Sequence, residues 1–364
     1  MKTPFVNYSL QYKNLEKEID FAVKDVLTRG DLILRKDVEE FEENLAKFVG
    51  TKYAIGVNSC SDALIYSLMA AGVKRGDEVI TVSHTFFATI EAIHHLGAEP
   101  VLVDVGEDFL MDADKIEEKI TSKTKAIIPV HLNGRICDMD RILEIAKKHN
   151  LIVIEDSAQA LGAEYKRKKG GSFGLAGCFS FYPAKILGAA GDGGAVTTDN
   201  PEITDKIRIL RNHGQKTKTE IVDYGFTSRL HNLQAAILNV KLKYLDGWVE
   251  RRREIAGIYN EGLKNIEGVK IPFIDGNGRK DAFQNYVLKA EKRNELFEFL
   301  KEREVETLVK DPVPNHWHEK LGLKDFKLPV TERLAKEVVS LPMYPELTDE
   351  QIQYIVERVR EFYR

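Results

Sequence analysis

The sequence predicts an α/β fold built on a mainly parallel sheet, and three observations carry that prediction. Short, almost continuous apolar runs recur between residues 78 and 198; segments of helical period separate several of them; and the pattern becomes irregular after about residue 245. Strands that are apolar throughout need cover on both faces, and intervening helices supply it while returning the chain for parallel pairing.

The elements follow in order. From Asp37, "DVEEFEENLAKFVG" sets Val38, Phe41, Leu45 and Phe48 on one helical face, with Asp37 as a candidate N-cap and Gly50 as the stop. The runs "EVITV" (78–82), "PVLVDV" (100–105), "KAIIPVH" (125–131), "LIVIED" (151–156), "CFSFY" (178–182) and "GGAVTT" (193–198) read as strands. Between them, "DADKIEEKI" (112–120) and "DMDRILEIAKKHN" (138–150) read as helices. The stretch 242–263 reads as one long charged helix, and "LTDEQIQYIVERVREFYR" as a last helix started by Thr348 with Ile352, Ile355, Val356 and Val359 on its apolar face. The expected organisation is a large α/β domain over residues 1–245 and a smaller α+β domain over 246–364.

Composition narrows the function. The 364 residues are 43% hydrophobic, with Lys+Arg 53 against Asp+Glu 57 and a net charge of −4, so the basic excess of a nucleic-acid binder is missing. No signal-peptide pattern and no apolar run of bilayer length stand out, and a cytoplasmic protein without a membrane partner is expected. Cys60, Cys137 and Cys178 are far apart, which suits reduced buried thiols better than disulfides or zinc. The pairs His94/His95 and His316/His318 lack neighbouring ligands, so no metal is expected.

Ligands of such sheets bind outside the carboxyl ends of the strands. Asp156 ends one apolar run; Ser180 and Tyr182 end another, with Lys185 just beyond. "GVNSCSDALIYSLMAAG" (56–72) is a strand end running into a helix, whose N-terminal Ser59, Cys60 and Ser61 offer N–H and hydroxyl donors to a phosphate. Serine there is ordinarily only an N-cap. In "SHTFFATIEA" (83–92), Phe86 follows a strand end, where it can cover a flat ring, although phenylalanine is more often core. An amine, a carboxylate, a phosphate cradle and a stacking aromatic together meet the needs of pyridoxal 5′-phosphate: the amine binds it covalently, and the carboxylate keeps its ring nitrogen protonated.

Those residues lie in blocks with a shared resemblance. "GVNSCSDAL", "SHTFFAT", "PVHLNGRICDMD", "VIEDSAQALGAEYKRKKGGSFG", "FSFYPAKILGAAGDGGAV", "LRNHGQ", "SRLHNLQAAIL" and "SLPMYPELTDEQI" resemble, in order and spacing, the DegT/DnrJ/StrS-type sugar aminotransferases. The resemblance spans nearly the whole chain. It implies a fold-type I pyridoxal-phosphate transferase, with a seven-stranded sheet flanked by helices and a smaller C-terminal α+β domain. It further implies Lys185 as the Schiff-base lysine, Asp156 at the pyridine nitrogen, Gln159 near the 3′-oxygen, Ser180 with Ser61 and Cys60 on the phosphate, and Phe86 on the ring. Tyr182 and Arg229 are implied near the sugar, and His316 in the lining of the substrate cleft.

The implied reaction moves the amino group of L-glutamate to a nucleotide-linked keto-sugar, in a homodimer with shared sites, and leans to C3 over C4 of the sugar. Some relatives are dehydratases that carry histidine where Lys185 stands, and a non-catalytic, cofactor-binding regulator is the other alternative. This chain also departs from the family. Thr227 replaces an asparagine that touches the phosphate from the second subunit, Ser59-Cys60-Ser61 replaces "SGT", His131-Leu132-Asn133-Gly134 replaces "HLYG", and Lys310-Asp311-Pro312 replaces "HYP". The last two changes face the expected sugar nucleotide and bear on substrate identity.

Overall fold

A computed structural model describes residues 1–272 and 278–364. Seven strands form its central sheet: β1 (Tyr53–Val57), β2 (Glu78–Val82), β3 (Glu99–Val103), β4 (Thr124–Ile127), β5 (Ile152–Asp156), β6 (Ala176–Ser180) and β7 (Gly194–Thr198). Their order is β1-β7-β6-β5-β4-β2-β3, parallel except that β7 runs against both β1 and β6. Side chains alternate across it: Val153 and Phe179 enter one core, Ile154 and Cys178 the other. Helices α2 (Lys36–Val49), α5 (Met139–His149) and α7 (Asn232–Leu242) seal the first face, with α1 (Tyr8–Arg29) packed on α7, while α3 (Cys60–Ala70), α4 (Ala88–His95) and α6 (Pro201–Leu210) seal the second.

A smaller antiparallel sheet joins Val269–Lys270, Tyr286–Ala290 and Val338–Leu341 around a third core. Helix α8 (Leu245–Leu263) ties this core to the first: Leu245 and Val249 pack against the large sheet, whereas Ile255, Tyr259 and Leu263 belong to the small one. The final helix, Asp349–Phe362, starts with a reciprocal cap in which Thr348 and Gln351 satisfy each other's backbone N–H.

Several sequence expectations are corrected. Residues 112–120 make two 3₁₀ turns, Ala113–Lys115 and Glu117–Lys119: Ile116 is driven into the core and Ile120 is already extended toward β4, which leaves no room for a helix. Helix α2 is preceded by Arg35, and Asp37 lies in its first turn with its carboxylate on Arg29 at 2.7 Å and Asn232 at 3.1 Å. The long charged helix expected over 242–263 is α8, which starts at Leu245, three residues later than expected, because Leu242 still ends α7. Strand β6 ends at Ser180, so Phe181 and Tyr182 belong to the loop beyond.

Candidate active site

The carboxyl ends of β1, β2, β5 and β6 open on one cavity of about 550 Å³, closed on its other side by Phe5, Gln284, Leu308 and Lys310. Ten sequence-predicted residues line it: Ser59, Cys60, Ser61, Phe86, Asp156, Gln159, Ser180, Tyr182, Lys185 and Lys310. Convergence of these residues from distant positions follows from the sheet order, which sets β1, β7, β6 and β5 side by side.

Asp156 is 6% exposed, and its two oxygens accept from Thr89 Oγ1 at 2.7 Å and from the Ala158 N–H at 3.2 Å. Among the described residues no cation lies within ion-pairing distance of it. A buried carboxylate held only by neutral donors calls for a positive partner, and that partner has to come from within the cavity. Gln159 is 5% exposed, and its Oε1 accepts from the Asn133 N–H at 2.9 Å and Asn285 Nδ2 at 3.3 Å, which turns its amide donors to the cavity.

Lys185 sits on a loop pinned at several points. Gln284 accepts from the Ile186 N–H at 2.9 Å and donates to the Ala184 carbonyl at 2.8 Å, clamping the lysine's backbone from both sides. Buried Lys241 donates to the Gly188 carbonyl at 2.7 Å on the same loop. Burial, and then the charge of Lys310, lower the Lys185 amine to a pKa of about 8. An amine in that range is available as a base near neutral pH.

The phosphate cradle is the N-terminus of α3. The Ser59 side chain caps it by accepting from the Asp62 N–H at 3.1 Å, so the bland N-cap role is real. The N–H groups of Cys60 and Ser61 belong to the first turn, which has no acceptors of its own within the helix, and both residues face the cavity. Gly194 of β7 packs directly beneath: a Cβ there would overlap the Ser59 carbonyl carbon and come within 2.7 Å of the Cys60 nitrogen. Phe86 is 61% exposed on the cavity wall, so it is not a core residue, and its ring is free to stack on a flat ligand.

Three sequence-predicted residues lie outside this cavity. Thr227 is exposed and bonds the His213 ring at 3.0 Å, and Arg229 bonds Asn212 Oδ1 at 3.1 Å; both sit on the 211–231 segment. His316 is fully buried, with Nδ1 on Ser83 Oγ at 2.8 Å and Nε2 facing Glu332 at 3.3 Å, so in this structure it braces a loop and does not line the cleft. Sequence reasoning missed Thr89, Gln284 and Asn285. Thr89 lies within the quoted "SHTFFAT" block, but the two amides act across 98 positions or more, a separation no local pattern reveals.

Residues 13–360 match the DegT/DnrJ/EryC1/StrS aminotransferase family. The chain belongs to that family. It is 45% identical to a pleiotropic regulatory protein of Geobacillus stearothermophilus, over 100% of this chain and 99% of the relative. It is 43% identical to the dTDP-3-amino-3,6-dideoxy-alpha-D-galactopyranose transaminase of Aneurinibacillus thermoaerophilus, over 99% of each. Among solved structures, DesV of S. venezuelae superposes with a TM-score of 0.97 at 38% identity, covering 100% of this chain and 99% of that one.

As a DegT-family member the protein is a sugar aminotransferase that depends on pyridoxal 5′-phosphate, and its residues fit that cofactor. Lys185 would hold it covalently, the α3 cradle and Ser180 its phosphate, Asp156 its ring nitrogen, and Phe86 its exposed face. No helix of the described residues is long and apolar enough to cross a membrane.

Proposed function

We propose that the protein transfers the amino group of L-glutamate to the 3-keto group of a nucleotide-linked sugar, giving 2-oxoglutarate and a 3-amino sugar. The observation that carries the reaction type is the pairing, in one cavity, of a lysine with a pKa of about 8 and a buried carboxylate that has no cation within ion-pairing distance among the described residues. Position 3 is supported by the name of the Aneurinibacillus transaminase.

Bound pyridoxal phosphate supplies the electron sink that makes the donor's α-hydrogen acidic. The chain's own residues do the rest. Once the donor's amine has displaced it from the cofactor, Lys185 Nζ would take the α-proton and return it on the other side of the transferred nitrogen, a task its lowered pKa suits. Thr89 and the Ala158 N–H fix the Asp156 carboxylate in one orientation, so its charge stays where the ring nitrogen needs it. Tyr182, 53% exposed beside Lys185, would line the way in for the sugar. Thr227 and Arg229 lie on a segment that exposes Ile221, Tyr224 and Phe226, which favours their entering the site of a second copy in a homodimer.

The name of the Geobacillus relative favours a second reading, a cofactor-binding regulator without turnover. Purified protein loaded with pyridoxal phosphate should lose its visible absorbance on addition of L-glutamate and regain it with 2-oxoglutarate or a 3-keto-sugar nucleotide. Bound cofactor whose spectrum ignores L-glutamate would establish the regulatory reading. Keto-sugars on UDP, dTDP and GDP, followed by analysis of the aminated carbon, test the substrate.

A further inference from the structure

Lys310 stands where the family resemblance leads one to expect His, and its surroundings give it a different task. The segment that carries it is fixed at both ends. Leu308 and Ser340 exchange backbone hydrogen bonds at 2.8 and 3.1 Å before it, and the Asn315 side chain donates to the Ser83 and Thr85 carbonyls at 2.9 and 2.7 Å after it. Lys310 lines the cavity between these anchors. Among the described residues its ammonium has no carboxylate within ion-pairing distance and makes no hydrogen bond, although Asp311 is next to it in the chain. Asp156, the buried carboxylate of the same cavity, acts on Lys310 only from beyond ion-pairing distance. A half-buried cation left unpaired in a cavity is costly until an anion arrives.

The phosphate cradle at Ser59, Cys60 and Ser61 belongs to a different element of the cavity wall, the start of α3, and is assigned to the cofactor. The Lys310 charge is felt instead at the reacting amine: it is the largest influence on Lys185 after burial, and burial together with that same charge lowers His84 to about 4. An anion at Lys310 therefore sits beside the reaction centre.

We infer that Lys310 binds a carboxylate of a reacting molecule next to Lys185, a reading that rests on the proposed transamination. Two molecules can bring that group: the amino-acid donor, through its own carboxylate, or a keto-sugar oxidised to a uronic acid.

The test is calorimetric binding of three probes to the pyridoxal-phosphate-loaded wild type, Lys310→Gln and Lys310→Arg. The probes are 2-oxoglutarate, UDP-glucuronate and UDP-glucose. Loss of one charge-assisted hydrogen bond should weaken a carboxylate probe by roughly 10- to 100-fold in Lys310→Gln. UDP-glucose should bind unchanged, and Lys310→Arg should stay within about threefold of wild type for every probe. A loss confined to 2-oxoglutarate assigns Lys310 to the donor; a loss confined to UDP-glucuronate assigns it to the sugar; a loss of both assigns it to both. Unchanged binding of both carboxylates, or an equal loss of UDP-glucose, overturns the inference. A wild type that binds neither sugar nucleotide removes UDP sugars from the proposed substrates, while its 2-oxoglutarate arm still decides Lys310.

Discussion

The strand-end residues and the outlying loop residues expected at this site are placed by different principles. Ser59 to Ser61, Phe86, Asp156, Gln159, Ser180 and Lys185 all lie within a few residues of a strand's carboxyl end, so once the sheet order is set they converge. Thr227, Arg229 and His316 sit on segments outside the sheet, and none of them lines the cavity of this chain. A site residue placed by strand-end geometry is readable from local pattern; one placed by how a loop packs, or by a second copy, is not.

The sharpest way to break that contrast is to remove the central residue of the strand-end group. Lys185→Ala should lose turnover by at least roughly 10³-fold, because general-base catalysis and covalent attachment go together. It should still bind the cofactor through the α3 cradle and Ser180, now releasable by dialysis. Single-turnover assays and the visible spectrum check both, and a variant that still turns over would remove Lys185 from the site.

Gly194→Ala attacks the cradle without touching any proposed contact. Its new Cβ has no space against the Ser59 carbonyl and the Cys60 nitrogen, so the start of α3 must move. Affinity for pyridoxal phosphate should fall by roughly 10- to 100-fold, on the order expected for one or two lost phosphate hydrogen bonds. Fluorescence titration measures it, with circular dichroism to show the fold is kept. If affinity is unchanged, the phosphate lies elsewhere.

A smaller effect comes from pH. The neutral amine is the form that attaches the cofactor, and with a pKa of about 8 its fraction rises through that pH. Capture of pyridoxal phosphate by the apo-protein should speed up about tenfold from pH 7 to 9 and then level off. An unperturbed lysine would gain about a hundredfold over the same interval and keep rising. Lys310→Gln should move the midpoint upward, because it removes the charge that, after burial, holds the amine down.

The sequence disclosed much of this. Six apolar runs became the six strands from β2 to β7, and the Asp156, Ser180 and Lys185 neighbourhood followed from where those strands end. The helix expected at 112–120 failed because helical period counts apolar spacing but not the room available before β4. Gln284 stayed invisible because it acts on Lys185 from across about a hundred positions, and a side chain's long-range partner leaves no trace in its own neighbourhood of sequence.

His316 sharpens the contrast with the least change in activity. Its ring joins Ser83 at the end of β2 to Glu332 in the helix Pro329–Glu337, and so fastens the loop that presents Lys310 and Asn315. His316→Ala should therefore act on stability: a cavity and the loss of the ring's bond to the Ser83 hydroxyl cost about 2–4 kcal/mol, or a fall in Tm of roughly 3–5 °C. The KM for the sugar nucleotide should stay within about twofold at temperatures where the variant is folded, since a side chain that touches no substrate contributes no binding energy to lose. A variant with unchanged Tm and a KM raised tenfold would return His316 to the cleft lining, and would mean that the loop from Lys310 to His316 rearranges when substrate binds.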